Sequence, residues 1–281
     1  MQNTELDIIK SSGEKVKFSF SKLRNSLLKS GADKKTMKYV LDEMRNELYQ
    51  GISTREIYNR AFALLKQVKS VYASKYKLKN AIYELGPTGF PFEKYVGRIL
   101  TSQGYEVSFN QTVLGKCVKH EIDVIAIKNN TRNLIECKFH SEEGRNCDVK
   151  VPLYIHARFN DIKNQKKTSY HESGWVVTNT RFTEDAVQYA RCVGLKLISW
   201  NYPEDNSLKH LIDKSQLYPL TVSTLLSNKE KEFLLKREIV LGSDLLKNEY
   251  LLDHLGISDS RKSRILSEFK ILCTITKVDG N

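Results

Sequence analysis

The sequence predicts an α/β (α+β) protein in three parts. At the N-terminus two short strand-like pieces precede a run of helical patterns. In the middle, apolar strand-length runs alternate with helical patterns, and from about residue 206 only short amphipathic helices follow. At 281 residues the chain has room for two or three domains. Hydrophobic residues make up 40% and charged residues 28%, enough to bury cores, so a globular protein is expected.

Residues 1–87 open with ELDIIK and KVKFSF, strand-like pieces joined by the turn SSGE. The helical patterns SKLRNSLLKSG, KKTMKYVLDEMRNELYQG and STREIYNRAFALLKQV follow. Ser21 and Ser53 stand as N-caps, Gly31 and Gly51 as C-terminal glycines, and Ser53 with Glu56 reads as a capping box. ELGPTGFPFEKY then packs two glycines and two prolines into six residues, which breaks any helix and marks a boundary.

Residues 88–205 begin with the amphipathic helix FEKYVGRILTSQG, ended by Gly104. HEIDVIAIKNNTRNLIECKFH reads as two strands joined by a polar turn, and a polar stretch runs on to about Gln165. GWVVTNT is strand-like, TEDAVQYARCVG helical and LKLISW strand-like again. The expected result is a mixed sheet flanked by helices. Residues 206–281 carry the short helical pieces LTVSTLLS, KEKEFLLKREIV, SDLLKNEYLLDHLG and SDSRKSRILSEFKIL, divided by caps such as Ser243 and Ser258. No repeat or low-complexity tract is evident.

Charge and cysteines narrow the class. Forty-five Lys and Arg against 33 Asp and Glu give +12, which favours a polyanionic partner. The five scattered cysteines, an odd number, point to reduced thiols. No apolar run reaches the roughly 20 residues of a membrane helix. The N-terminus lacks a basic region followed by an apolar one, so no membrane association and a cytoplasmic location are expected.

The central hairpin carries acids that a buried strand would not. Residues two apart on a strand share a face, so Glu136 and Lys138 project together with Cys137 opposite. An antiparallel neighbour would bring Asp123 beside Glu136. Two close carboxylates repel unless a cation lies between them, and Mg²⁺ takes one or two such ligands plus water. A lysine alongside can orient water or offset charge developing on a phosphate. The arrangement D…ExK therefore suits metal-assisted phosphodiester hydrolysis. Acids and lysines also alternate on many exposed strands, but VIAI and LI make this sheet apolar enough that buried charge needs a reason.

GYEVSFN, HEIDVIAI, LIECKFH and GWVVTNTRFTEDAVQYARCVGLKLISW, in that order, resemble the Mrr-type branch of the PD-(D/E)XK nucleases over roughly residues 88–202. The resemblance implies DNA cleavage with Mg²⁺ or Mn²⁺. It implies Asp123 and Glu136 as metal ligands, Lys138 as the catalytic lysine, and Glu93 in FPFEKYV as the acid many members carry on the preceding helix. Glu121 shares the face of Asp123 and is either a supporting acid or plain surface. Gln165 is a candidate for the water-positioning polar residue, with Arg158 and Asp161 as alternatives or as an ion pair. A rival metal reading groups Cys117 and His120 with His140 and Cys147 as a zinc donor set.

KSSGEKVKFSFSKLRNSLLKSGAD, with STREIYNRAFALLK and KYKLKNAIYELGP, resembles the ATP-cone domain. That resemblance implies ATP or dATP bound as an effector, with Lys10, Gly13 and Lys22 meeting phosphates and Thr54 near the nucleotide. No GxxxxGK(S/T) loop is present, so ATP hydrolysis is not expected. Ser11 and Ser12 stand where the family pattern has a basic residue. ATP-cone proteins often change assembly with nucleotide, which implies a homo-oligomer. The C-terminal helices faintly resemble helix-hairpin-helix DNA-binding modules, HLGIS being the nearest piece, and equally suit a bundle for subunit contact.

The expected function is a Mg²⁺-dependent DNA endonuclease under nucleotide control, acting in restriction or phage defence, with repair as second choice. A non-catalytic, nucleotide-responsive DNA-binding regulator is the alternative, and an RNA substrate stays open.

Overall fold

The computed structural model describes residues 6–10, 12–165 and 170–274. The N-terminal unit begins with the antiparallel pair β1 (Asp7–Ile9) and β2 (Lys15–Lys17), Ile8 opposite Val16. Ser11 of the expected turn lies outside the described residues. Helices α1 (Phe20–Lys29), α2 (Lys34–Glu47) and α3 (Thr54–Val68) follow. Their apolar stripes meet in a core centred on Leu27, Val40, Met44, Ile52 and Leu65.

Two local expectations are corrected here. The cap of α1 is Ser19, whose hydroxyl accepts from the Lys22 amide, while Ser21 lies inside the helix. Ser53 caps α3 as expected, yet the box is half made. The Glu56 carboxylate is drawn to the Tyr49 hydroxyl and Arg60 instead of back to the Ser53 amide.

Helices α4 (Ser70–Tyr76) and α5 (Leu78–Tyr83) lead to a turn with a cis Gly86–Pro87 bond, then to α6 (Phe90–Ser102). Strands β3 (Glu106–Leu114), β4 (Lys119–Lys128) and β5 (Thr131–Lys138) form an antiparallel meander. After the short β6 (Asn146–Cys147) comes α7 (Lys150–Lys163), then β7 (His171–Thr178), β8 (Arg181–Phe182), α8 (Glu184–Val193) and β9 (Lys196–Ile198). β6 and β8 make a small parallel pair. The main sheet is mixed and five-stranded, in the order β3-β4-β5-β7-β9, with β5, β7 and β9 parallel. This is the mixed sheet that the alternating patterns predicted.

The stretch before Gln165, read as polar from its sequence, is helix α7. Ile155, Phe159 and Ile162 fall at helical spacing and bury against the sheet with Ile125, Leu134 and Val176. The opposite sheet face, from Val124, Ala126, Ile135 and Val177, packs on α6. Gly97 lets α6 approach closely, since a Cβ there would sit 2.3 Å from the Phe109 ring on β3.

The remaining helices are α9 (Leu208–Ser215), a 3₁₀ turn at Leu220–Val222, α10 (Asn228–Leu235), α11 (Gly242–Lys247), α12 (Tyr250–His254) and α13 (Asp259–Cys273). Ser258 does precede α13, whereas Ser243 lies within α11, whose preceding amide at Leu241 is met by Asp244. These helices share one continuous core with α4, α5 and α6, from Val71 to Leu272. Polar ties reinforce the junction. Glu268 of α13, 2% exposed, accepts from Ser74 of α4, from Ser223 and from Thr224, and Glu84 is shared by Lys77 and Lys231.

Candidate active site

The site lies at one end of the sheet, and the strand register builds it. Val124 pairs with Ile135, so the next position outward sets Asp123 against Glu136. Both lie along the face that carries Ile125 and Leu134, the face covered by α7. Asp123 is fixed by the Cys137 amide, which donates to its Oδ2 at 2.7 Å. Opposite Asp123, β3 kinks at Asn110, whose φ of 51° lies in the left-handed region that asparagine tolerates. Lys138, two residues beyond Glu136, is exposed, and its carbonyl accepts from the Thr178 hydroxyl at 2.7 Å.

Glu93 enters from the first turn of α6. Burial raises its carboxyl to about 7, with further upward pushes from Asp123, Glu136 and Glu121. Glu136 is likewise raised to about 7, first by burial and then by Asp123, against the pull of Arg158 and Lys138. Asp123 is raised by burial, partly offset by the Cys137 amide and Arg158. Three carboxyls from three elements thus lie at this sheet end, Asp123 acting on Glu136 and both acting on Glu93. Among the described residues no three His, Cys, Asp or Glu side chains are already gathered tightly around one point.

Arg158 of α7 supplies a cation in direct contact with the acids. Its Nη1 donates to Glu136 Oε2 at 2.7 Å and its Nη2 to the Glu121 carbonyl. Asp161, the other polar candidate on this helix, turns away. It binds His120 at 2.8 Å and the Cys117 amide at 2.9 Å, latching the β3–β4 turn. Gln165 lies just past the end of α7, its amide bonded to the Ile162 carbonyl. The zinc quartet does not assemble. His120 is engaged by Asp161, Cys117 is exposed, and the His140 ring lies 3.3 Å from the Cys147 sulfur.

The residues expected at a nucleotide divide into two pairs. Lys10 and Gly13 lie at the hairpin turn, where Lys10 pairs with Glu14 at 2.8 Å and Gly13 takes a φ of +82°. Lys22 and Thr54 instead line a cleft shared with residues far along the chain, among them Lys79 and Lys209. No local motif marks those two lysines, so only long-range packing brings them in.

A mixed sheet with acids from β4, β5 and the preceding helix defines a restriction endonuclease-like domain, and residues 87–202 match the restriction endonuclease family Mrr_cat. Residues 218–273 match the family described as AF1548-like, C-terminal. An uncharacterized protein from Archaeoglobus fulgidus is 36% identical over 176 residues, covering 62% of this chain and 98% of that protein. The crystal structure of AF1548, described as a protein of unknown function, is 33% identical with a TM-score of 0.55, covering 66% of this chain and 98% of that one. The chain belongs to this AF1548-like family. Among the described residues no helix is long and apolar enough to cross a membrane.

Proposed function

We propose that the protein is a divalent-metal-dependent DNA endonuclease whose centre is Asp123, Glu136, Lys138 and Glu93. The observation that carries this reading is the strand register that sets Asp123 against Glu136 at the sheet end, with Glu93 close enough for both to raise its pKa beyond the effect of burial. Buried acids held this way store unfavourable energy unless a cation relieves them. The oxygen donors of Asp123 and Glu136 fit a hard ion, since Mg²⁺ needs only one or two carboxylates beside water and substrate oxygens. When bound there, such an ion polarises a water and offsets phosphate charge.

The chain's own residues do the rest. The Cys137 amide orients Asp123, and Arg158 holds Glu136 on the sheet face. Lys138, exposed at the strand end, is positioned to meet the scissile phosphate. With a carboxyl near 7, Glu93 can exchange a proton with water at neutral pH. The Mrr_cat match supports DNA as substrate and a role in restriction or phage defence.

We further read the N-terminal unit as an ATP-cone-like module that binds ATP or dATP and controls cleavage, in a homo-oligomer. Its support is the hairpin followed by three helices, with Lys22 and Thr54 on one cleft.

The test is plasmid cleavage with Mg²⁺, with and without ATP or dATP, comparing wild type with Glu136→Ala. Cutting by wild type alone supports the nuclease. Absence of cutting under every nucleotide, on methylated and unmethylated DNA alike, overturns it in favour of the DNA-binding regulator.

A further inference from the structure

The cleft that holds Lys22 and Thr54 has a volume of about 1090 Å³ and walls from distant parts of the chain. One wall is α1 and α3 of the N-terminal unit. The other combines α5, α9 and the Ser141–Glu143 loop, which leaves β5 three residues after Lys138. Six cations line it: Lys22, Lys29, Arg55, Lys75, Lys79 and Lys209. Among the described residues none of the six sits in an ion pair. Burial lowers the pKa of Lys79 and Lys209, so their charge is held at a cost. Tyr58 and Tyr76 stack at 5.1 Å on the same cleft, and Tyr58 also stacks with Phe62.

The acids present do not balance these cations. Glu84 is committed to Lys77 and Lys231 outside the group. Asp213 lies among Lys29, Lys75 and Lys209 without closing on any of them. Glu142 pairs with Arg145 at 3.1 Å, which leaves Glu143, on the same loop, acting on Lys79. The six cations are half-buried at Lys75, Lys79 and Lys209 and exposed at Lys22, Lys29 and Arg55. With the neighbouring aromatic rings they fit a ligand with several negative charges and a planar ring.

We propose that this cleft binds a nucleoside polyphosphate between the N-terminal unit and the nuclease unit, the phosphates replacing Glu143 as counter-charge. The proposal rests on the effector reading above and adds the second wall, the competing loop and a route to the acids. Without the ligand, six cations resist closure of the cleft. With it, closure is favoured, which is the differential affinity that coupling requires.

Two parts of the second wall, the end of α5 and the loop, run directly into the active site. Nine residues after Glu84 the chain reaches Glu93, through the Gly86–Pro87 turn. The loop side reaches Lys138 through Phe139. The two routes touch, because a Cβ on Gly86 would sit 2.8 Å from the Phe139 ring, and Phe139 also meets Phe92 at 5.6 Å.

The experiment titrates full-length protein with ATP, inorganic triphosphate and adenosine by calorimetry, for wild type, Lys22→Ala, Lys209→Ala, Lys209→Arg and Glu142→Gln/Glu143→Gln. Thermal unfolding checks that each variant is folded. The expected results are ATP binding weakened about tenfold by Lys209→Ala and largely kept by Lys209→Arg. The double Gln variant binds ATP about threefold tighter, and the ATP concentration that alters plasmid cleavage falls in parallel. Loss of binding in Lys22→Ala with Lys209→Ala and the double variant unchanged overturns the shared cleft but keeps an N-terminal effector site. Triphosphate binding as tightly as ATP overturns the aromatic subsite. No nucleotide binding by wild type overturns both this proposal and the effector reading, leaving nucleotide-free cleavage to judge the nuclease separately.

Discussion

The sheet end and the cleft between units are opposite in charge yet built on one principle. At the sheet end Glu93, Asp123 and Glu136 share one neighbourhood, with Arg158 paired to Glu136. In the cleft six cations gather with no ion pair among the described residues. A third site does the reverse. Glu268 is almost fully buried, but hydroxyls from Ser74, Ser223 and Thr224 satisfy it. Satisfied charge ties the units together, whereas unsatisfied charge waits for something from outside.

That comparison predicts opposite signs for similar substitutions. The largest effect is catalytic. Asp123→Asn or Glu136→Gln should lower Mg²⁺-dependent plasmid cleavage about 10³-fold or more, while DNA binding measured by mobility shift persists. Arg158→Ala should cost roughly 10- to 100-fold and move the pH–rate profile upward, because Glu136 loses the cation that favours its charged form. An unchanged profile would mean that Arg158 merely packs.

For stability, the satisfied acid is the costly one to remove. Glu268→Ala should destabilise by about 3 kcal/mol in urea unfolding, since several buried donors lose their acceptor. Glu93→Gln should do the opposite at pH 8. It relieves like-charge repulsion and stabilises by about 1 kcal/mol after solvent screening, even as cleavage falls. If both substitutions destabilise alike, the contrast between satisfied and unsatisfied acids fails.

The smallest and broadest effect is on pH. Between pH 4.5, where a free glutamate titrates, and about 7, folded Glu93 and Glu136 keep protons that the unfolded chain has released. The folded state then binds more protons, so stability of the metal-free protein falls as pH rises through that window. Mg²⁺ binding needs the deprotonated acids and should strengthen over the same range. Thermal midpoints with and without Mg²⁺ from pH 5 to 8 should therefore diverge.

How legible this was from residue order depended on range. The hairpin of β4 and β5 was readable because strand alternation is a two-residue rule, and Asp123, Glu136 and Lys138 fell where it placed them. The stretch that forms α7 reads as polar because His, Arg and Asp stand in it, while Ile155, Phe159 and Ile162 carry the helical spacing. The caps Ser21 and Ser243 each went astray by two residues. Ser19 takes the amide at the first helix, and at the second the Asp244 carboxylate meets the Leu241 amide.

Strand pattern, turn residues and the order of motifs were enough to specify a mixed α/β domain with acids on adjacent strands. They could not say that Arg158 would clamp Glu136, that Asp161 would instead latch a turn, or that the C-terminal helices would share a core with α4 to α6. Nor could they bring Lys22 together with Lys209, 187 positions apart in the sequence. Periodicity acts over a few residues of backbone, whereas such pairings follow from which apolar faces bury against which. The charges are carried along with those faces, and their energies depend on burial that exists only once the chain has packed.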